Sequence, residues 1–226
     1  MKIKLKRASV SDMKQGSMKK VDQRIEYNDA VRIFLEEMKL FSIKDKKIIY
    51  MITRSFDDLK KLPEPGEQFR IRVQQSMNLI VLLLCILKKN KTIDELSVVT
   101  YSLNKKAFNI MIDLATSGRI KKINILLSSS NRFRSAKHLE YLINGAKILF
   151  ENNFPIAFVL AWTHSKITLA RCGSDYYQFE GSMNYSMNNM AEQLILENNK
   201  ELYDFDYEFI SKTMQDTNNK ALEIII

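Results

Sequence analysis

From residue 95 onward the sequence alternates between two kinds of segment, and this limits the possible fold more than any other feature. Glu95–Tyr101, Lys122–Leu127 and Ile156–Ala161 are short and rich in apolar residues, as strands are. Between them, Lys105–Thr116 and Ser135–Phe150 carry apolar residues at helical spacing. Gly118 follows the first of these where a C-terminal capping glycine belongs. A further helix is expected over about Arg72–Lys89. Alternation of this kind predicts an α/β fold, a mixed β-sheet sandwiched between helices that cover both faces. The last third changes character. Lys166–Ala170 and Tyr176–Glu180 read as antiparallel strands joined by the turn chemistry of Cys172-Gly-Ser-Asp175, and a helix near Glu201–Met214 closes the chain. No internal repeat is present.

The N-terminal part is organised differently. Residues 1–20 are Lys-rich with little apolar periodicity, a basic tail. Val31, Phe34, Leu35 and Met38 fall at helical spacing, and Lys47–Arg54 is a strand candidate. Leu62-Pro-Glu-Pro-Gly66 is the clearest break in the pattern, a boundary before the main domain or simply a loop. The expected organisation is therefore a basic tail and appendage over residues 1–66, followed by the main domain over residues 67–226.

Composition narrows the class. Apolar residues make up 46% and charged residues 27%, so a folded core is affordable and wholesale disorder is excluded. The formal net charge is +9, which favours phosphate-bearing partners, nucleic acid or anionic lipid. The longest apolar run, Leu79–Leu87, is about half of what spans a bilayer and ends in Lys88-Lys89, so it reads as a core helix. The N-terminus lacks the apolar stretch of a signal peptide, and the expectation is a cytoplasmic protein with no membrane partner. Cys85 and Cys172 are far apart and suggest no disulfide framework, Cys85 reading as a buried thiol. Two Cys and two His, without CxxC or HxxxH spacing, argue against a structural zinc site.

One stretch carries chemistry. Thr163-His164-Ser165-Lys166 is expected on a strand, which would put His164 and Lys166 on one face. After the hairpin comes Phe179-Glu-Gly-Ser-Met-Asn184. Gly181 permits close backbone approach, and Ser182 and Asn184 supply short donors and acceptors. Imidazole, ammonium, hydroxyl and amide together suit the gripping and attack of a phosphate.

His-x-Lys followed about fifteen residues on by Gly-Ser-x-Asn resembles the HKD signature of the phospholipase D superfamily. Met190-Ala-Glu192-Gln193-Leu-Ile-Leu196 resembles the segment that follows the signature there, and the likeness extends over roughly residues 68–215. The sequence departs from the pattern in two ways. Arg171 stands where the family has an Asp, with Asp175 a candidate substitute from the turn, and the interval from Lys166 to Gly181 is longer than usual. The resemblance implies a phospholipase D-like half-domain and a phosphodiesterase, in this case a nuclease, needing no metal or cofactor. It implies that His164 attacks phosphorus to form a phosphohistidine and that a second histidine protonates the leaving oxygen. Lys166, Asn184 and Ser182 would hold the phosphate oxygens. Glu192 either orients His164 or lies on the surface.

That chemistry needs two histidines, and the chain has only His138 and His164. His138 lacks the accompanying motif, so the second imidazole is expected from a symmetry-related copy, a homodimer with a shared site. Basic groups at Lys105-Lys106, Arg119-Lys121-Lys122 and Arg132-Arg134 form a nucleic-acid groove only if they share the side of His164, and are otherwise solvated faces. Tyr101 and Phe133 are candidates for stacking on bases or for ordinary packing. The competing reading is a non-catalytic nucleic-acid-binding or assembly module with a degenerate site, favoured by Arg171. A lipid-acting enzyme is a third, with no amphipathic basic helix to support it.

Overall fold

The computed structural model describes residues 47–53, 61–73, 78–186, 191–215 and 223–224. The basic tail and the helix expected near residues 26–40 lie outside them. The chain divides between Lys44 and Asp45, and all that follows concerns the second unit, Asp45–Ile226.

Among the described residues the sheet has nine strands in the order β1-β2-β8-β7-β6-β3-β4-β5-β9. Three parallel strands form one part of it: β3 (Glu95–Thr100), β4 (Ile123–Ser128) and β5 (Ile156–Ala161). Their connections contain helices α1 (Ile80–Asn90, preceding β3), α2 (Lys105–Thr116), the short α3 (Asn131–Arg134) and α4 (Ala136–Glu151). Asn104 caps α2 by accepting the Ala107 N–H at 2.7 Å, and Ser135 caps α4 by accepting from His138 N at 3.3 Å. Gly118 follows α2 with φ of 72°, the left-handed conformation its position requires.

β6 (Ile167–Cys172) pairs antiparallel with β3, and β7 (Asp175–Gly181) and β8 (Glu192–Asn198) continue the antiparallel run. β2 (Glu67–Val73) is antiparallel to β8, β1 (Lys47–Thr53) is parallel to β2, and the two-residue β9 (Glu223–Ile224) borders β5. Helix α5 (Lys200–Gln215) packs against β3, β6 and β7.

Alternation along the strands splits the core into two layers. Ile125, Leu127, Phe158 and Leu160 join α1, α2 and α4, through residues such as Leu83, Phe108 and Leu142. Leu126, Val159 and Ala161, one residue out of phase, meet Tyr203 and Ile210 of α5. The molecule is thus an α/β sandwich of one mixed sheet between helices. No helix among the described residues is long and apolar enough to cross a membrane.

Three sequence expectations are corrected. The helix begins at Ile80, and Glu67–Val73 is a strand: Phe69, Ile71 and Val73 are buried at period two, with Arg70 and Arg72 between them. The break at Leu62–Gly66 does not end an appendage, because β1 before it pairs along its whole length with β2 after it. Cys85 is half-buried against the core, and Cys172 is the buried thiol, pushed up to about 12 by burial.

Asp206 of α5 accepts from Gln178 Nε2, and burial, aided by the charge of Glu180, pushes its carboxyl up to about 6. A carboxyl that binds its proton more tightly when folded stabilises the fold at low pH. That contribution is lost as pH rises from the unfolded value of 3.8 through about 6. Asp206→Asn removes this dependence and is expected to exceed the wild type by about 1–2 kcal/mol at pH 7 in thermal unfolding. An Asn variant less stable than wild type at that pH would contradict it.

Candidate functional site

Parallel strands β3, β4 and β5 end at one edge of the sheet, the edge where ligands bind in α/β folds. Three segments leave them there: Tyr101–Asn104, Ser129–Asn131 and Trp162–Lys166. Ser129 N donates to the Ala161 carbonyl at 2.8 Å, and Asn131 Nδ2 donates to the carbonyls of Tyr101 at 2.9 Å and Ser128 at 2.7 Å. The ends of all three strands are therefore tied together.

His164 and Lys166 stand in the irregular connection 162–166, since β5 ends at Ala161 and β6 starts at Ile167. The expected strand is absent, yet the two side chains meet. Lys166 Nζ lies 3.2 Å from His164 Nδ1 and donates to the His164 carbonyl at 2.7 Å. An ammonium can only donate, so Nδ1 is the acceptor and a neutral ring carries its proton on Nε2. The Tyr101 ring packs on the imidazole, centroids 4.7 Å apart, and Lys166 Nζ is 5.7 Å from the same ring centre. Burial holds the Lys166 ammonium below the usual lysine range, opposed by the charges of Glu192 and Tyr101.

The antiparallel hairpin returns the second half of the motif to the same edge. Ile167 pairs with Glu180, and Gly181 N reaches the Lys166 carbonyl at 3.4 Å. A Cβ on Gly181 would lie 2.2 Å from the Gln193 carbonyl oxygen, so only glycine lets β7 approach β8 this closely. Ser182 is then bound to β8 through backbone and side chain. Its N–H donates to Gln193 O at 3.0 Å, its Oγ accepts from Gln193 N at 3.0 Å, and its hydroxyl proton goes to the Glu192 carboxylate. Met183 and Tyr185 point inward, 1% and 0% exposed, with Tyr185 Oη 2.9 Å from Thr168 Oγ1. Asn184, between them, faces the site edge with its Oδ1 3.3 Å from Thr100 Oγ1.

Several expectations change accordingly. Glu192 is buried, 5% exposed, which removes the surface alternative. Its bond to Ser182 is charge-assisted, worth about 1.5–3 kcal/mol. In this state Ser182 fixes the turn. Asp175 sits at the far end of the hairpin, bound to Asn198 and Tyr177, about 20 Å of strand from Lys166, too far to act as the substitute considered from the sequence. Arg171 instead faces Glu95, 3.8 Å away. His138 Nε2 donates to the Leu103 carbonyl at 2.7 Å.

The basic groups divide between the two edges. Lys105, Lys106 and Arg132 follow the ends of β3 and β4, on the His164 side. Arg119, Lys121 and Lys122 precede β4 at the opposite edge. There Lys121 pairs with Asp94 at 2.7 Å, Lys122 with Glu95 at 2.7 Å, and Arg119 binds the Leu87 carbonyl that ends α1. This second group is structural. Thr100 closes β3 and Tyr101 follows it directly, so their place at the end of a parallel strand is the sequence signal for their contacts.

No family model matches the chain, and no curated protein is found to match it. Among solved structures it is similar to polyphosphate kinase from Porphyromonas gingivalis, at 12% identity and a TM-score of 0.45, covering 64% of this chain and 23% of that one. It is also similar to phosphatidylserine synthase from Haemophilus influenzae Rd KW20, at 11% identity and a TM-score of 0.49, covering 70% and 39%. The chain spans less than half the length of either protein. Likeness at this level carries no conclusion about activity.

Gly181→Ala is expected to destabilise the protein by about 1–3 kcal/mol in denaturant unfolding, because the new methyl meets backbone that cannot swing aside. Stability within about 0.5 kcal/mol of wild type would show that β7 and β8 have room between them.

Proposed function

We propose that the chain is a phosphodiesterase of the phospholipase D type, with one half-site per chain, which cleaves nucleic acid through a phosphohistidine. The observation that carries this reading is the 3.2 Å contact between Lys166 Nζ and His164 Nδ1 on an exposed imidazole, at the ligand-binding edge of the sheet. A partly desolvated ammonium beside a nucleophilic ring is a phosphate trap. An arriving phosphate draws Lys166 away from Nδ1 and onto a non-bridging oxygen, which frees the ring nitrogen.

The reaction then has two steps. An unprotonated His164 nitrogen attacks phosphorus, forming a P–N bond while the P–O bond to the leaving group breaks and its electron pair departs with the oxygen. A second imidazole gives that oxygen a proton. The same imidazole next takes a proton from water as the water attacks phosphorus, and the P–N bond breaks. Lys166 and the Asn184 amide balance the charge that builds on the non-bridging oxygens, while Ser182 and Glu192 hold Asn184 in place. None of these steps calls for a metal.

The second imidazole is assigned to the partner's His164 in a homodimer, since the remaining histidine, His138, already spends its Nε2–H on Leu103. The competing reading, a non-catalytic nucleic-acid-binding module, draws support from Arg171, whose charge is opposite to that of the family residue. Turnover separates the two.

His164→Ala is expected to lower cleavage of DNA or RNA by about 10³-fold or more, while EDTA leaves the wild-type rate unchanged. Full activity in that variant would exclude His164 as the nucleophile, and loss of activity in EDTA would exclude the metal-free route. Sedimentation is expected to give a dimer; an active monomer would require a different second acid.

A further inference from the structure

Trp162 is 71% exposed and Phe133 is 82% exposed. Both belong to the edge that carries His164. Trp162 stands two residues before the imidazole, and Phe133 lies on α3, in the segment that the Ser129–Ala161 hydrogen bond ties to the end of β5. Large aromatic rings left in water at the rim of a phosphate site need a partner with a flat apolar face. Exposed cations lie past the strand ends on this side too: Lys105, which rests over the Tyr141 ring at 4.4 Å, Lys106, Arg132 and Lys137. Many of the cations at the opposite edge are committed to carboxylates, as in Lys47–Glu67, Lys61–Glu67, Lys121–Asp94 and Lys122–Glu95. Exposed positive charge thus lies on the same side of the sheet as the aromatics.

We propose, building on the phosphodiesterase reading, that the substrate is single-stranded nucleic acid whose bases stack on Trp162 and Phe133 while its phosphates meet the neighbouring cations and His164. A single strand offers a free base face at every nucleotide, whereas a duplex keeps those faces stacked inside and presents only edges and phosphates. Tyr101, also at this edge, is not part of the platform, because its ring already lies against His164.

Trp162 is the chain's single tryptophan, so its fluorescence reports on this surface alone. The test titrates three probes into the full-length His164→Ala protein, which spares the probes from cleavage. They are an oligothymidylate of about 15 nucleotides, a duplex of the same length, and vesicles rich in phosphatidylglycerol. Quenching by the single strand, with affinity about ten-fold or more above that for the duplex and falling as salt rises, is the expected result. Phe133→Ala, at an exposed position, is expected to weaken single-strand binding about ten-fold.

Equal or tighter duplex binding would overturn the proposal, as would a Trp162 response to vesicles alone or to no probe. The two levels remain separable. Single-strand quenching without cleavage by the wild type would uphold the stacking surface and refute the phosphodiesterase. Duplex cleavage that depends on His164, without Trp162 quenching, would do the reverse.

Discussion

The candidate site depends on strand register at one place, where β6 and β7 fold back as a hairpin and β7 runs against β8. Ile167 pairs with Glu180, and Gly181 with Leu194. A slip of one residue would turn every side chain of β7 to the other face, burying Glu180 and expelling Phe179. The same slip would withdraw Ser182 from Glu192 and Asn184 from Thr100. Gly181 makes the correct register possible by its lack of a side chain, and Met183 and Tyr185 lock it by filling the core on alternate positions. Antiparallel return is also what brings two motifs fifteen residues apart to the edge where the parallel strands end.

Electrostatics follows the same division. Far from the site, Glu95 is buried, yet its carboxyl stays below the usual range, because Lys122, Tyr207 and Asn124 together outweigh the cost of burial. Arg171 also faces Glu95, and Lys121 pairs with the adjacent Asp94, so the cations there hold the sheet together. At the site edge the balance differs. Lys166 has lost solvation and leans on an imidazole and a tyrosine ring. It also donates to the His164 carbonyl at 2.7 Å, so an imidazole, a carbonyl and a ring face share the ammonium in place of a carboxylate. Ser182 is held more firmly, by a carboxylate. The geometry thus separates an ammonium held by neutral groups from a hydroxyl held by a carboxylate that keeps the turn in shape.

The parts of this arrangement that were legible in the sequence are those set by local chemistry. Strands β3, β4 and β5 announce themselves by unbroken apolar runs, and helices α2 and α4 by spacing, by Asn104 and Ser135 at their starts and by Gly118 after the first. The closeness of His164 and Lys166 was legible because a separation of two residues is short in almost any backbone. β2 was missed because Ile71 and Val73 blend into the apolar run at Leu79–Leu87, and the arginines between them mimic the polar side of a helix. The roles of Tyr101 and Thr100, and the split of the basic groups between edges, depend on which strand neighbours which. Pairings of residues 20–90 apart leave no local trace.

The claim on which the rest turns is that His164 becomes covalently bonded to phosphorus. Rapid quenching of the wild-type protein with a nucleotide diester, followed by peptide mass spectrometry, tests it directly. A phosphoryl adduct confined to the peptide containing His164, stable in alkali and lost in acid as a P–N bond is, is the predicted outcome. Steady turnover with no adduct, or with the label on Ser182 or another residue, would contradict it.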